Sequence, residues 1–288
     1  MRKMARPSTQ DRLVSLIRET SSSLPEDVLA ALRAAARREA RGGSAAVVLR
    51  TILDNCALAK RNGTPLCQDT GTLTFFVDER LRRRVTPALV RRAVACATER
   101  GFLRRNTIDA VTGRSCDDNC AEGAPVVHYV AGDGPARRVT LLLKGGGSEN
   151  MSRQYSLPDA ALGAGRDLAG VRACVLDAVQ KIQGYGCAPG ILGVCVGGDR
   201  ATGYAVAKAQ LLRPLDEAAD AGGGGAELRR LEKALLREAN ALGIGPMGLG
   251  GKTTLLGVKV AARTRVPASF FVTVAYMCWA CRRRTIEL

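Results

Sequence analysis

Three cysteines, far apart in the chain and each at the end of a secondary-structure pattern, constrain this sequence more than any other feature. Residues 65–72, PLCQDTGT, put a thiol (Cys67), an amide (Gln68), a carboxylate (Asp69) and two hydroxyls into one loop between a helical and a strand pattern. Residues 184–190, GYGCAPG, carry Cys187 in a turn before the apolar run ILGVCVGG. Residues 276–283, YMCWACRR, deliver Cys278 at the end of the β-run SFFVTVAYM. At such positions, beside small residues, thiolates can converge, whereas any one of them alone reads equally as a buried thiol.

The chain has 10 cysteines. A disulfide framework suits small secreted domains; clustered thiols in a longer chain without a secretory leader point to metal or catalysis. Cys56 and Cys174 fall on the apolar stripes of helical patterns and Cys195 lies inside a strand pattern, so all three read as packing. Structural zinc wants four closely paired ligands. Cys278-x-x-Cys281 has no second CxxC, and Cys116-x3-Cys120 is the candidate that would complete such a site. Iron–sulfur clusters held by four thiolates usually serve electron transfer. Three thiolates leave one iron open, and an open iron is a Lewis acid that can polarise a C–O bond.

Apolar periodicities predict a mixed α/β fold with a lead-in over residues 1–22. Helices are expected over 44–61, 87–100, 171–182, 201–212 and 227–242, and strands at TLTFFVD, PVVHYV, RRVTLLLK, ILGVCVGG, LLGVKVAAR and SFFVTVAYM. Asn62-Gly63 and Gly184 are expected to stop their helices. Gly132 and Gly134 suggest a turn between PVVHYV and RRVTLLLK, and AADAGGGGAE reads as a mobile surface loop. In KGGGSENMS, backbone amides can approach an anion.

Two glycine-rich stretches fail as nucleotide motifs. GLGGKTT has Pro246 where a phosphate-binding loop needs its first glycine. GIGPMG fits a dinucleotide fingerprint in letters but follows a charged helix instead of a strand. Both remain reasonable as elbows where backbone approaches closely. The net charge of +16 invites nucleic acid, yet aromatic residues make up only 4% and the arginines are scattered along helical faces. No stacking platform results, while a basic surface equally attracts anionic metabolites. No apolar run approaches the roughly 20 residues of a membrane span, and the basic start lacks an apolar leader. Neither a nucleic acid nor a membrane is therefore expected as partner, and the cytoplasm is the expected compartment.

PLCQDTGT, LLLKGGGSENMS, CAPGILGVCVGGDRATGYAVAKAQLLRPLDE, LGIGPMGLGGKTTLLGVKV and PASFFVTVAYMCWACRRR together resemble the α subunit of class I, iron–sulfur-dependent fumarate hydratases, and the similar α chain of L(+)-tartrate dehydratase. The resemblance runs from about residue 45 to the C-terminus. It implies one catalytic domain over residues 23–288, an oxygen-sensitive 4Fe–4S hydro-lyase that adds water reversibly across fumarate to give (S)-malate. By that resemblance Cys67, Cys187 and Cys278 are the cluster ligands, leaving one iron open. Gln68 and Asp69 lie beside the substrate, with Asp69 handling the proton; Arg104 grips a substrate carboxylate, and Gly147 is a backbone contact.

The substrate it implies is a small dicarboxylate, with L-tartrate or another 2-hydroxy dicarboxylate as the alternative to fumarate. A separate β subunit is expected to complete the site, in an α2β2 or similar assembly. One position departs from the family pattern. A histidine twelve residues before the last cysteine is usual, and here that position is Val266. A missing imidazole partner for Asp69 would slow proton transfer by about 10²-fold or more, so a non-catalytic family member is a further alternative. The single histidine, His128, matches a structural position in the strand PVVHYV.

Overall fold

A computed structural model of the chain describes residues 7–132, 134–217 and 225–288. In chain order the helices are α1 (Thr9–Ser22), α2 (Glu26–Arg38), α3 (Ser44–Asn62), α4 (Pro87–Glu99), α5 (Gly146–Asn150), α6 (Leu168–Ile182), α7 (Arg200–Gln210) and α8 (Gly225–Ala241). The strands are β1 (Thr72–Asp78), β2 (Val126–Val130), β3 (Arg138–Lys144), β4 (Arg153–Ser156), β5 (Gly190–Gly197), β6 (Leu255–Arg263), β7 (Phe271–Met277) and β8 (Arg282–Glu287). Two compact units result. The first comprises Met1–Pro25, Asp54–Gly146 and Arg282–Leu288; the second comprises Glu26–Leu53 and Gly147–Cys281. Residues 23–288, read from sequence as one catalytic domain, fall across both.

The first unit holds a four-stranded mixed sheet in the order β2-β1-β3-β8. β1 runs parallel to β2 and antiparallel to β3, pairing Thr72 with Lys144 and Leu73 with Leu143. β2 and β3 therefore flank β1 and do not pair with each other, so the glycines between them mark a crossing and no hairpin. One face of the sheet buries Phe75, Val77, Leu141 and Leu143 with Leu13 and Ile17 of α1 and Val90 and Val94 of α4. The helix starts follow from their caps. Ser8 and Asp11 form a reciprocal capping box on α1, and Thr86 caps α4 ahead of Pro87.

The second unit's sheet has the order β4-β7-β5-β6, with β5 parallel to β6 and antiparallel to β7. β5 is buried along its whole length, as its unbroken apolar run requires. Val171, Val175 and Val179 of α6 and Leu231 and Leu235 of α8 pack on this sheet's core. Among the described residues no helix is long and apolar enough to cross a membrane.

One helix end needs amendment. α6 ends at Ile182, and the left-handed residue that stops it is Gln183 (φ +42°) instead of Gly184. Gly184 is glycine for another reason: a Cβ there would lie 2.7 Å from the carbonyl oxygen of Met247. The terminal strand β8 was not anticipated from RRRTIE, whose charge hides a pairing with β3. Of the stretch AADAGGGGAE, residues 218–224 lie outside the described residues, and its last three begin α8.

Candidate active site

In the first unit the chain leaves α3 through Gly63 (φ +65°) and reaches the first cysteine loop. Leu66 anchors that loop, donating its N–H to the Ser21 carbonyl at 2.8 Å and accepting from Asn55 Nδ2 at 3.0 Å. Cys67 emerges half-buried, and Gln68 is exposed. The Asp69 amide donates to Cys67 Sγ at 3.4 Å. Both carboxylate oxygens of Asp69 accept from backbone: Oδ1 from Gly71 N–H and Oδ2 from Gly146 N–H, each at 2.8 Å. The glycine run thus does approach an anion, and that anion is Asp69 itself. Close approach demands glycine here, because a Cβ on Gly145 would stand 2.8 Å from Asp69 Oδ2. From behind the loop Arg282, 2% exposed, donates Nη2 to the Asp69 carbonyl at 2.7 Å.

Thr70 brings Arg104 to the same loop. Its hydroxyl donates to the Arg104 carbonyl at 2.7 Å and accepts from the Arg104 amide at 2.9 Å. Fully buried Asn119 completes the clamp. Its Nδ2 donates to the Arg104 carbonyl and its Oδ1 accepts from the amides of Asn106 and Thr107, at 2.9, 2.9 and 3.1 Å. The Arg104 backbone is fixed while its guanidinium faces solvent, ready for an anion. Cys67, Gln68, Asp69 and Arg104 are therefore gathered in one unit.

The second unit holds Cys187, Cys278 and Gly147. Cys187 is exposed, with φ +52°, and its carbonyl accepts from the Trp279 amide at 3.3 Å. The residue after Cys278 is thus bonded to Cys187. The Cys278 amide donates to Ser148 Oγ at 3.2 Å, next to Gly147. Tyr276 fills the space inside the Cys187 turn. A Cβ on Gly186 or Gly190 would lie 2.4 or 2.3 Å from its ring. Burial, then the Cys278 and Cys187 thiols, push the Tyr276 phenol well above its ordinary range. Its hydroxyl has no hydrogen-bond partner among the described residues.

Thr70, Asn119, Ser148, Tyr276 and Arg282 carry much of this geometry and were not singled out from sequence. The visible signal was the pair of glycines around Cys187, which a bulky neighbour requires. Val266 is 64% exposed in the connection before β7. It precedes that seven-residue strand, whose other end leads into Cys278. His128 lies on β2 with its ring 5.4 Å from that of Phe76, a packing role.

Among the described residues no three His, Cys, Asp or Glu side chains are gathered as ligands of a single metal ion. A four-iron cluster makes a different demand, since its three thiolates bind three separate irons and stand further apart. Within the second unit the local donor chemistry fits part of such a group: the residue after Cys278 is hydrogen-bonded to Cys187, and a buried hydroxyl beside that pair has no partner among the described residues. Cys116 and Cys120 belong to the first unit, Cys281 to the second.

Residues 10–287 match the family model described as Fumarate hydratase (Fumerase). The chain is 47% identical over 283 residues to a protein of Geobacillus stearothermophilus named "Putative fumarate hydratase class I", covering 96% of this chain and 54% of that one. It therefore spans about half the length of that relative. Over 282 residues it is 32% identical to the "Putative L(+)-tartrate dehydratase subunit alpha" of Methanocaldococcus jannaschii, covering 95% of each chain. Identity is 28% over 273 residues to the L(+)-tartrate dehydratase subunit alpha of Escherichia coli (strain UTI89 / UPEC), covering 93% of this chain and 86% of that one.

Proposed function

Because the chain belongs to the fumarate hydratase (Fumerase) family, we propose that it is the iron–sulfur-binding part of a hydro-lyase that interconverts fumarate and (S)-malate. The observation that carries this reading is the Asp69 carboxylate, held by two backbone amides two residues from Cys67 and one residue from the Thr70 clamp on Arg104. An oriented carboxylate, with an exposed arginine tethered through its backbone to the next residue, suits proton transfer at a carbon next to a carboxylate.

Cys67, Cys187 and Cys278 are the proposed ligands of a 4Fe–4S cluster. When bound, such a cluster supplies an open iron that acts as a Lewis acid toward a hydroxyl and a carboxylate of the substrate. The side chains divide the remaining work. Arg104 pairs with a substrate carboxylate through its planar fork, and Gln68 offers an exposed amide. Asp69 takes the proton from the carbon adjacent to the one bearing the hydroxyl, and returns it in the reverse direction. Two amide donors on its oxygens keep Asp69 oriented between these events. The Gly147 amide is a further donor to substrate, with no side chain to obstruct it.

L(+)-tartrate dehydration is the second reading. It is supported by two relatives named as tartrate dehydratase α subunits, 32% and 28% identical to this chain. Those names support a β subunit as the partner that completes the site.

Anaerobic reconstitution with iron and sulfide, followed by assay with a β subunit of either enzyme type, tests the proposal. Brown protein absorbing at roughly 400 nm with fumarate turnover is the expected result, and preference for L-tartrate selects the second reading. Colourless protein with no turnover of either substrate refutes both.

A further inference from the structure

Tyr276 combines a completely enclosed ring with a hydroxyl that has no hydrogen-bond partner among the described residues. Its residue is 1% exposed at the end of β7, and its backbone amide donates to Ser152 Oγ at 3.3 Å. Gly186 and Gly190 bracket Cys187 and both press on the ring. A Cβ on Gly190 would stand 2.4 Å from the hydroxyl oxygen itself. The Cys187 turn is thus folded around the phenol, and the ring explains why glycine is required on each side of the cysteine. A phenylalanine would fill the same volume, so packing does not account for the hydroxyl. A buried hydroxyl without a partner carries a desolvation penalty, and Tyr276 Oη is one. The cysteines that act electrostatically on it are Cys278 and Cys187.

We propose that the Tyr276 hydroxyl is a hydrogen-bond donor to the sulfur atoms of the group held at Cys187 and Cys278, and that it raises the reduction potential of that group. The inference rests on the iron–sulfur reading above and deepens it. Hydrogen bonds to cluster or thiolate sulfur stabilise the more negative, reduced form, so they are a main determinant of potential. Donation also resolves the sulfur-side charge in a pocket where water has no access to the phenol.

The test compares the full chain with its Tyr276→Phe variant, before and after anaerobic loading with iron and sulfide. Without the cluster, the variant is expected to melt at a higher temperature, because the orphaned hydroxyl is gone and the ring remains. After loading, that gain should be lost. An EPR-monitored redox titration should show the variant's cluster potential shifted to a more negative value, at equal iron content. An unchanged potential, or the same thermal gain in both states, overturns the inference while leaving the cluster assignment intact. A variant that cannot fold overturns it too, since the hydroxyl would then serve the apoprotein. Failure of the unsubstituted chain to take up iron and sulfide at all removes the cofactor reading, and this inference with it.

Discussion

Replacing Gly71 with alanine should destabilise the first unit by about 2–5 kcal/mol, as the sum of two costs. Gly71 has φ +77°, in the left-handed region where a Cβ costs about 1–2 kcal/mol. The added methyl would lie 2.5 Å from the carbonyl carbon and oxygen of Lys144 and 2.7 Å from the Gly145 amide nitrogen. Those are backbone atoms at the end of β3, held by the pairing of Thr72 with Lys144. They cannot rotate aside, and forcing such a shift costs about 1–3 kcal/mol more. Gly147 offers the control. It has ordinary helical backbone and no atom within 4 Å of a new Cβ, and alanine is favoured over glycine inside a helix by roughly 0.5–1 kcal/mol. Gly147→Ala should therefore leave stability unchanged or slightly higher, while a methyl in the proposed substrate space raises KM by about 10-fold. Urea unfolding followed by far-UV circular dichroism gives both stabilities. A Gly71→Ala variant within about 0.5 kcal/mol of the parent, the scatter of neutral substitutions, would refute the reasoning.

Asp69→Asn should reduce turnover by about 10²-fold or more and loosen the cysteine loop, because an amide NH2 must then face one of the two backbone N–H donors; steady-state kinetics with limited proteolysis checks both. Hydrogen bonds from Arg80 hold Asp78 down at about 2, below the usual carboxylate value of about 3.9. Its contribution to stability is full above roughly pH 4 and is lost as pH falls toward 2, so Asp78→Asn should flatten acid unfolding across that window. Burial pushes Cys174 and Cys195 up to about 11, so iodoacetamide mapping at pH 8 should leave both unmodified in the native apoprotein while labelling exposed Cys187. After anaerobic loading, Cys67, Cys187 and Cys278 should all become protected.

Where structure is written in local periodicity, the sequence was readable. The stripe over 171–182 became α6, and TLTFFVD became β1 with the same bounds. Partnership between distant segments was not readable. RRRTIE looks like surface charge, yet β8 extends the first unit's sheet and buries Arg282 behind Asp69. A guanidinium is placed there by one backbone carbonyl 213 residues away in sequence, and nothing next to it in the chain announces that bond. The division into two units was hidden for the same reason, since the first is assembled from three separated stretches.

At the candidate site the contrast between chemistry and support is sharper. Residues with reactive groups (Cys67, Asp69, Arg104) could be named because their flanking motifs resemble a known family; alone, the cysteine reads as a buried thiol, the aspartate as a cap and the arginine as surface charge. The groups that aim them are ordinary: a threonine, an asparagine, a serine and a backbone amide. Their importance comes from positions that only folding creates. Glycine is the exception, because it records what its neighbours need. Gly145 is bare because the Asp69 carboxylate occupies its Cβ space, and Gly186 and Gly190 are bare because the Tyr276 ring does. These three glycines are therefore imprints of the side chains packed against them. Gly147, with open space at its Cβ, bears no such imprint from the described residues. That difference within one run of three glycines is why the reason for its identity is sought in a ligand.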